Sequence, residues 1–298
     1  MILDERAVRD LLSMEELIPA MAKAMDDLSS GKVVQPGRVM LPVAEHQGFL
    51  GLMPAYGGAL GAKLVAFYPN NQGIPSHHAM IVLFKPETGE PLVTMDGRLI
   101  TEMRTAAVSA VATRLLARPE ASVLGILGSG VQARSHLAAL RLVRTIREVR
   151  VWSPRNAAAF AREFGVRAVP TAEEAVRGSD IVVVATSSQT PVLSGAWLAP
   201  GTHINAVGAP RPTWRELDDD ALRKARLYVE QREAATRESG DVIAAGKIFA
   251  EIGEVVAGSK PGRQSADEIT LYKSVGVAVQ DIVSAELVYR KALKAGIF

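Results

Sequence analysis

In this 298-residue chain the clearest arrangement for chemistry is Gly128-Ser129-Gly130-Val131-Gln132-Ala133. It spells G-x-G-x-x-A directly after the apolar run VLGIL and directly before a stretch of helical periodicity. Gly128 permits a tight turn, Gly130 lets the backbone approach a pyrophosphate, and small Ala133 lets the helix pack on the strand. The helix N-terminus then offers N–H groups and a positive dipole end to phosphate, so Gly128, Ser129, Gly130, Val131 and Gln132 are candidate dinucleotide contacts. A site that prefers NAD carries an acid about 20 residues on, at the end of the second strand. Here that strand, EVRVW, runs into Ser153-Pro154-Arg155-Asn156. An arginine stands where a carboxylate would repel a 2′-phosphate, and Ser153 and Arg155 can bind one. With Asn156 completing this side, NADP(H) is favoured and NAD(H) is the alternative. Thr186 and Ser187, at the carboxyl end of DIVVVAT, lie where ligands sit in doubly wound sheets, so both are further cofactor candidates.

The elements that must carry these residues follow from the hydrophobic pattern. From Ser122 onward, short apolar runs alternate with helical ones: SVLGILG, VQARSHLAALRLV, EVRVWS, RNAAAFAREFG, RAVP, TAEEAVRGS, DIVVVAT and THINAVG. That rhythm predicts an α/β Rossmann domain, a doubly wound parallel sheet. The texture before it differs. A helix is predicted from Ser13, with Ser13 and Glu16 reading as a capping box, up to Gly31. Five strand-like runs then follow without helices between them, from RVMLPV to PLVTMD, and a helix spans about 100–117. A last helix over about 275–295 is long enough to return to the N-terminal part. The expected organisation is a discontinuous α+β substrate and dimerisation domain, 1–118 with 276–298, around a Rossmann domain, 119–275.

Composition narrows the class. The chain has no cysteine, which removes disulfides, thiolate metal sites and cysteine nucleophiles together. Lys+Arg 34 against Asp+Glu 32, with aromatics at 5%, lacks the basic, aromatic surface of a nucleic-acid binder. Asp4 and Glu5 sit where a signal peptide would be positive. No run is long and apolar enough for a membrane span, so a cytoplasmic protein is expected. The five histidines show no ligand spacing, and no metal is expected. The pair His77-His78 enters a strand and is open to either a packing or a substrate role.

Several longer stretches resemble the ornithine cyclodeaminase/mu-crystallin family of nicotinamide-dependent enzymes. They are GAK at 61–63, MDGRLITEMRTAAVSAVA at 95–112, GILGSGVQARSH at 125–136 and INAVGAPRPTWRELDDDAL at 204–222. RESGDV at 237–242, IFAEIGEVVAG at 248–258 and LYKSVGVAVQD at 271–281 complete the set. The GAxRPxWREL stretch is most similar to the ketimine reductase branch. The resemblance implies a homodimer, hydride transfer between NAD(P)H and the C=N carbon of an imino acid, and an active site between two domains. It implies that Arg38, Lys63 and Arg104 surround the substrate carboxylate, and that Gly208 lies on the cofactor side. Physical chemistry agrees: arginine forks bind carboxylates bidentately, and a lysine in an apolar setting such as GAKLVAF is driven toward a pKa useful for proton transfer.

One departure narrows the reaction. Ornithine cyclodeaminases and related alanine dehydrogenases carry an aspartate just after the G-G or G-A at a Rossmann strand end, and here that position is Pro210. Proline has no ionisable group, so an amino-acid substrate loses the acid that would take a proton from its ammonium group. Reduction of a preformed imine is favoured, with cyclic ketimine carboxylates of the piperideine-2-carboxylate or pyrroline-2-carboxylate type as substrates, or a 2-oxo acid with an amine. The alternatives are an ornithine cyclodeaminase or alanine-dehydrogenase-like oxidoreductase, and an NADPH-dependent binding protein for a small, thyroid-hormone-like ligand.

Overall fold

The computed structural model describes residues 1–297, which form two compact units. One comprises Met1–Arg104 with the chain from Gly276 onward, and the other Thr105–Val275.

The first unit opens with β1 (Ile2–Leu3), α1 (Glu5–Leu11) and α2 (Met14–Ser29). Ser13 stands at the start of α2, but its hydroxyl donates to the Glu16 carboxylate at 2.8 Å instead of accepting a backbone N–H, so the expected capping box is not made. The strand-like runs become β2 (Val39–Val43), β3 (Gly48–Gly57), β4 (Ala59–Phe67), β5 (His77–Phe84) and β6 (Pro91–Asp96). These five pair antiparallel in chain order, and β1 adds parallel to β6, giving a mixed six-stranded sheet. Helix α3 (Arg98–Leu116) follows, its first residues in this unit and the remainder in the other.

Alternation along the strands gives the sheet two unlike faces. On one, Met53, Ala55, Val65, Ile81, Leu83, Val93 and Met95 are buried. On the other, Val39, Leu52, Leu64 and Met80 stand in one cross-strand row, 62%, 39%, 39% and 51% exposed.

The second unit is an eight-stranded, wholly parallel sheet. Its elements in chain order are β7 (Val123–Leu127), α4 (Val131–Arg141), β8 (Glu148–Trp152), α5 (Ala157–Phe164), β9 (Arg167–Ala168), α6 (Ala172–Val176), β10 (Ile181–Val184) and β11 (His203–Ala206). Then come α7 (Asp219–Lys224), β12 (Ala225–Val229), α8 (Arg232–Glu238), α9 (Gly240–Ala245), β13 (Ala250–Glu251), α10 (Ile252–Val256) and β14 (Ile269–Lys273). The spatial order β9-β8-β7-β10-β11 is the doubly wound arrangement, and its direction reverses between β7 and β10, the topological switch point. Beyond β11 the sheet is extended by β14, β12 and β13, which the alternation from Ser122 to Val207 did not announce.

The chain then returns to the first unit as α11 (Ala278–Lys294), which packs on α2 and on β3, β4 and β5. Its approach depends on Gly61 of β4. A Cβ there would collide with the Val82 carbonyl and would lie 3.0 Å from Ile282 Cδ1 of α11. Gly61 and Lys63 point to the same face because strand side chains alternate, so the glycine that admits α11 also brings it over Lys63. A Gly61→Val substitution is therefore expected to overpack this contact. It should lower the unfolding free energy by about 1–3 kcal/mol in a denaturant titration, the usual cost of inserting methyl groups into a filled core.

Candidate functional site

In the first unit Arg38, Lys63 and Arg104 come together around the start of α11. Lys63 is 2% exposed, and its Nζ forms a 2.6 Å ion pair with Oδ2 of Asp281, itself fully buried in the first turn of α11. The other carboxylate oxygen, Oδ1, accepts from Arg104 Nε at 3.1 Å. Arg104 Nη1 donates to Gln280 Oε1 at 2.6 Å. The same Gln280 oxygen accepts the Val277 N–H at 3.3 Å, so the guanidinium is oriented by the helix start as well as by the acid. Gly276 makes room for it: φ is +75° there, and a Cβ would lie 2.5 Å from Arg104 Nη1. Arg38 Nη2 donates to the Gly276 carbonyl at 2.6 Å.

Two buried cations, Lys63 and Arg104, thus share one carboxylate, and among the described residues neither forms an ion pair with a second. Burial drives the Lys63 ammonium down to about 7, with Asp281 opposing and Arg104 and Arg38 adding to the fall. Burial alone would raise the Asp281 carboxyl, but Arg104 and Lys63 outweigh it and hold it below the usual carboxylate range. His77 lies in the same field. Burial, then the Lys63 and Arg104 charges, push its imidazole down to about 4, so it stays neutral at physiological pH. The buried trio of Lys63, Arg104 and Asp281 carries one surplus positive charge with Lys63 protonated and none with Lys63 neutral, which suits a single small carboxylate plus one transferable proton.

In the second unit the glycine turn has the conformation its sequence requires. Gly128 has φ of +114°, and a Cβ would collide with the Ala185 carbonyl. Gly130 begins α4, no side chain caps that helix, and a Cβ at Gly130 would meet nothing within 4 Å. Open space therefore faces the first-turn N–H groups of Val131 and Gln132, as a pyrophosphate needs. Ala133 is fully buried where α4 packs. Ser129 Oγ lies 2.8 Å from Ser153 Oγ, which also accepts the Asn156 N–H at 3.1 Å, tying the end of β8 to the turn. Arg155 is exposed beside it, and the end of β8 carries no acid. These residues fit the pyrophosphate and ribose of a nicotinamide dinucleotide.

Thr186 and Gly208 meet at the ends of β10 and β11 around a residue that sequence patterning did not single out, Glu216. Its Oε1 accepts from Thr186 N–H at 2.8 Å and from Thr186 Oγ1 at 2.6 Å. Thr186 thus commits both donors to the protein itself. A Cβ at Gly208 would collide with the Thr186 carbonyl and the Glu216 carboxylate. Behind them Lys273, fully buried at the end of β14, donates to the Gly208 carbonyl. It lies 3.1 Å from Asp241 Oδ2 and 3.8 Å from Glu216 Oε2. Asp241 Oδ1 in turn accepts the Glu216 and Leu217 N–H groups at 3.1 and 3.2 Å. Burial raises the Glu216 carboxyl to about 7 despite Lys273. Ser187 is exposed. The segment continues into Ala209, which holds φ of +53° despite its Cβ, and exposed Pro210.

His136 has a structural place. His136 is buried between Gln132 O (2.7 Å) and Ser109 Oγ (2.9 Å), and burial takes it down to about 4. Among the described residues no cluster could hold a metal ion, and no helix is long and apolar enough to cross a membrane.

A family model matches the chain over residues 1–296, that of the ornithine cyclodeaminase/mu-crystallin family. The chain belongs to this family. It is 49% identical over 292 residues to the ketimine reductase mu-crystallin of Mus musculus, covering 94% of this chain and 93% of that protein. Among solved structures it resembles the Thermococcus litoralis Delta(1)-pyrroline-2-carboxylate reductase, in complex with NADH and L-proline. That match has a TM-score of 0.95 and 42% identity and covers 99% of this chain and 98% of the other. An archaeal alanine dehydrogenase dimer with bound NAD follows at TM-score 0.93 and 38% identity, covering 99% and 97%.

Proposed function

We propose that this family member is an imine reductase that uses a reduced nicotinamide dinucleotide, preferably NADPH, to convert cyclic ketimine carboxylates of the piperideine-2-carboxylate or pyrroline-2-carboxylate type into cyclic amino acids. The observation that carries the reading is the buried trio Lys63, Arg104 and Asp281, whose single surplus charge complements one carboxylate. The relatives that reduce ketimines and pyrroline-2-carboxylate support it, and so does Pro210, which has no ionisable group to deprotonate an amino-acid ammonium from that position. Imine reduction without that acid needs a bound carboxylate, a hydride and one proton.

The roles divide between the units. Residues 119–275 act as the cofactor domain. Gly128, Ser129, Gly130, Val131 and Gln132 hold the pyrophosphate, and Ser153, Arg155 and Asn156 the 2′-phosphate. Gly208, Thr186 and Ser187 shape the strand ends toward the nicotinamide. The cofactor supplies the hydride. Residues 1–118 with 276–298 act as the substrate domain, in which Arg104 and Arg38 engage the carboxylate and Lys63 gives a proton to the imine nitrogen. The exposed row Val39, Leu52, Leu64 and Met80 suits a homodimer face, since it is contiguous across four strands and apolar throughout.

Three outcomes are expected. NADPH is consumed with cyclic ketimine carboxylates, and Lys63→Met lowers kcat by about 10²–10⁴-fold while NADPH affinity is unchanged; ornithine turnover with ammonia release, and none with ketimines, overturns the reading. Arg155→Ala weakens NADPH by about tenfold and leaves NADH unaffected, as loss of one charge-assisted phosphate contact requires. Met80→Glu buries a charge in the expected interface, so light scattering should find a dimer for the parent and a monomer for the variant.

A further inference from the structure

We propose that Asp281 is a positioning residue for imine reduction: it fixes Lys63 Nζ and the Arg104 guanidinium in one register, and its charge keeps the proton on Lys63 until the substrate takes it. This rests on the imine-reductase reading above and adds to it the group that sets the lysine's state. Asp281 divides its two oxygens between the two cations, at 2.6 Å to Lys63 and 3.1 Å to Arg104. Both cations are fixed from other sides too, Arg104 by Gln280 and Lys63 by its place on β4 beside Gly61. Asp281 is fully buried, so it has no solvent to exchange these partners for. A carboxylate in such a place commits two cations to one geometry, which is what orientation at a reacting centre requires.

The groups facing Lys63 come from every element around it. Asp281 and Gln280 lie on α11, Arg104 on α3, His77 on β5, and Arg38 on the segment before β2. Only Asp281 among them is negative. Burial and the Arg104 and Arg38 charges favour the neutral amine, and the aspartate opposes them. In the reaction a hydride from the reduced nicotinamide forms a C–H bond at the imine carbon as the C=N π bond breaks. The nitrogen takes the proton from Lys63 Nζ. The dinucleotide is oxidised, the imine is reduced to the amine, and neutral Lys63 regains a proton from water. The donor must be protonated, so kcat/KM for reduction falls as pH rises through the Lys63 midpoint in the free enzyme. Removing the Asp281 charge favours the neutral amine, and the fall moves to lower pH.

The test uses the full chain labelled with ¹³C at lysine Cε, the Lys63 resonance being assigned by its loss in Lys63→Met. In Asp281→Asn the Lys63 midpoint is expected about 1–3 pH units lower than in the parent, the range for loss of an adjacent opposite charge. The descending limb of kcat/KM for piperideine-2-carboxylate with NADPH should move with it. A Lys63 midpoint identical in the two proteins overturns the proposal, whatever the activity. A midpoint that moves while the kinetic limb stays overturns Lys63 as proton donor, and the failure then lies in the functional reading and not in the Asp281–Lys63 coupling. Should Asp281→Asn not fold, Asp281→Glu retains the charge on a longer arm. It should leave the Lys63 midpoint near the parent's and lower kcat by about tenfold or more through misplacement. Parental kcat in that variant overturns the positioning role.

Discussion

Two buried cations share one buried carboxylate in the first unit, and much of that unit's design follows from it. Removing an ion from water costs several kcal/mol, which neighbouring charge and hydrogen bonds must offset. Asp281 is offset by both Lys63 and Arg104, but the pair of cations is only half compensated by Asp281. An arginine cannot shed its proton in a protein, whereas a lysine can. The strain of the surplus charge therefore falls on Lys63, and burial with Arg104 brings it down to about 7. An anion entering the cluster relieves the same strain. A bound anion and a proton on Lys63 would therefore favour one another.

The local backbone serves this arrangement. Gly61 lets α11 approach β4, and Gly276 leaves room for the Arg104 guanidinium while its carbonyl accepts from Arg38. The second unit solves an inverse problem. One buried lysine, Lys273, lies between two buried acids, Glu216 and Asp241. Here the surplus is negative, and burial, with Asp241 adding to it, raises the Glu216 carboxyl to about 7. The network clamps Thr186 through its N–H and hydroxyl and Gly208 through its carbonyl. Two strand-end loops next to the switch point are thereby held by buried charge, and Ala209 keeps its left-handed backbone directly after one of those anchors.

What could be read from the sequence follows the reach of each signal. The glycine turn, the five-strand meander and the α/β alternation up to Val207 are local patterns, and each element formed close to its expected place. The strands β12, β13 and β14 were not legible because Leu227, Tyr228 and Val229 follow a charged helix without a clear repeat, and β13 has only two residues. Asp281 and Glu216 were missed for a different reason. Each acts on partners far away in the chain, such as Lys63 and Thr186, and no spacing rule links residues so distant. A faint signal existed. Gln280-Asp281 is a polar pair in an otherwise apolar helix start, and an acid there is buried only when cations await it. The capping box that does not form shows the limit from the other side. Ser13 and Glu16 have the right spacing, yet their side chains bond to each other.

Pro210 bears on direction in a more limited way than its missing carboxylate alone implies. A group that gives a proton to the imine nitrogen in reduction must, in its neutral form, take one from the amine in oxidation. If Lys63 is that group, losing the acid at 210 leaves one residue to serve both directions. Protonated Lys63 serves reduction and neutral Lys63 serves oxidation, so the two directions divide near the lysine's midpoint of about 7. Below it, most of the protein stands ready to reduce. A second carboxylate acting as base would free oxidation from that midpoint, and Pro210 cannot supply one. The pH at which the two protonation forms divide then follows from the charge balance around Lys63, with Asp281 as the only negative contributor among the neighbours described.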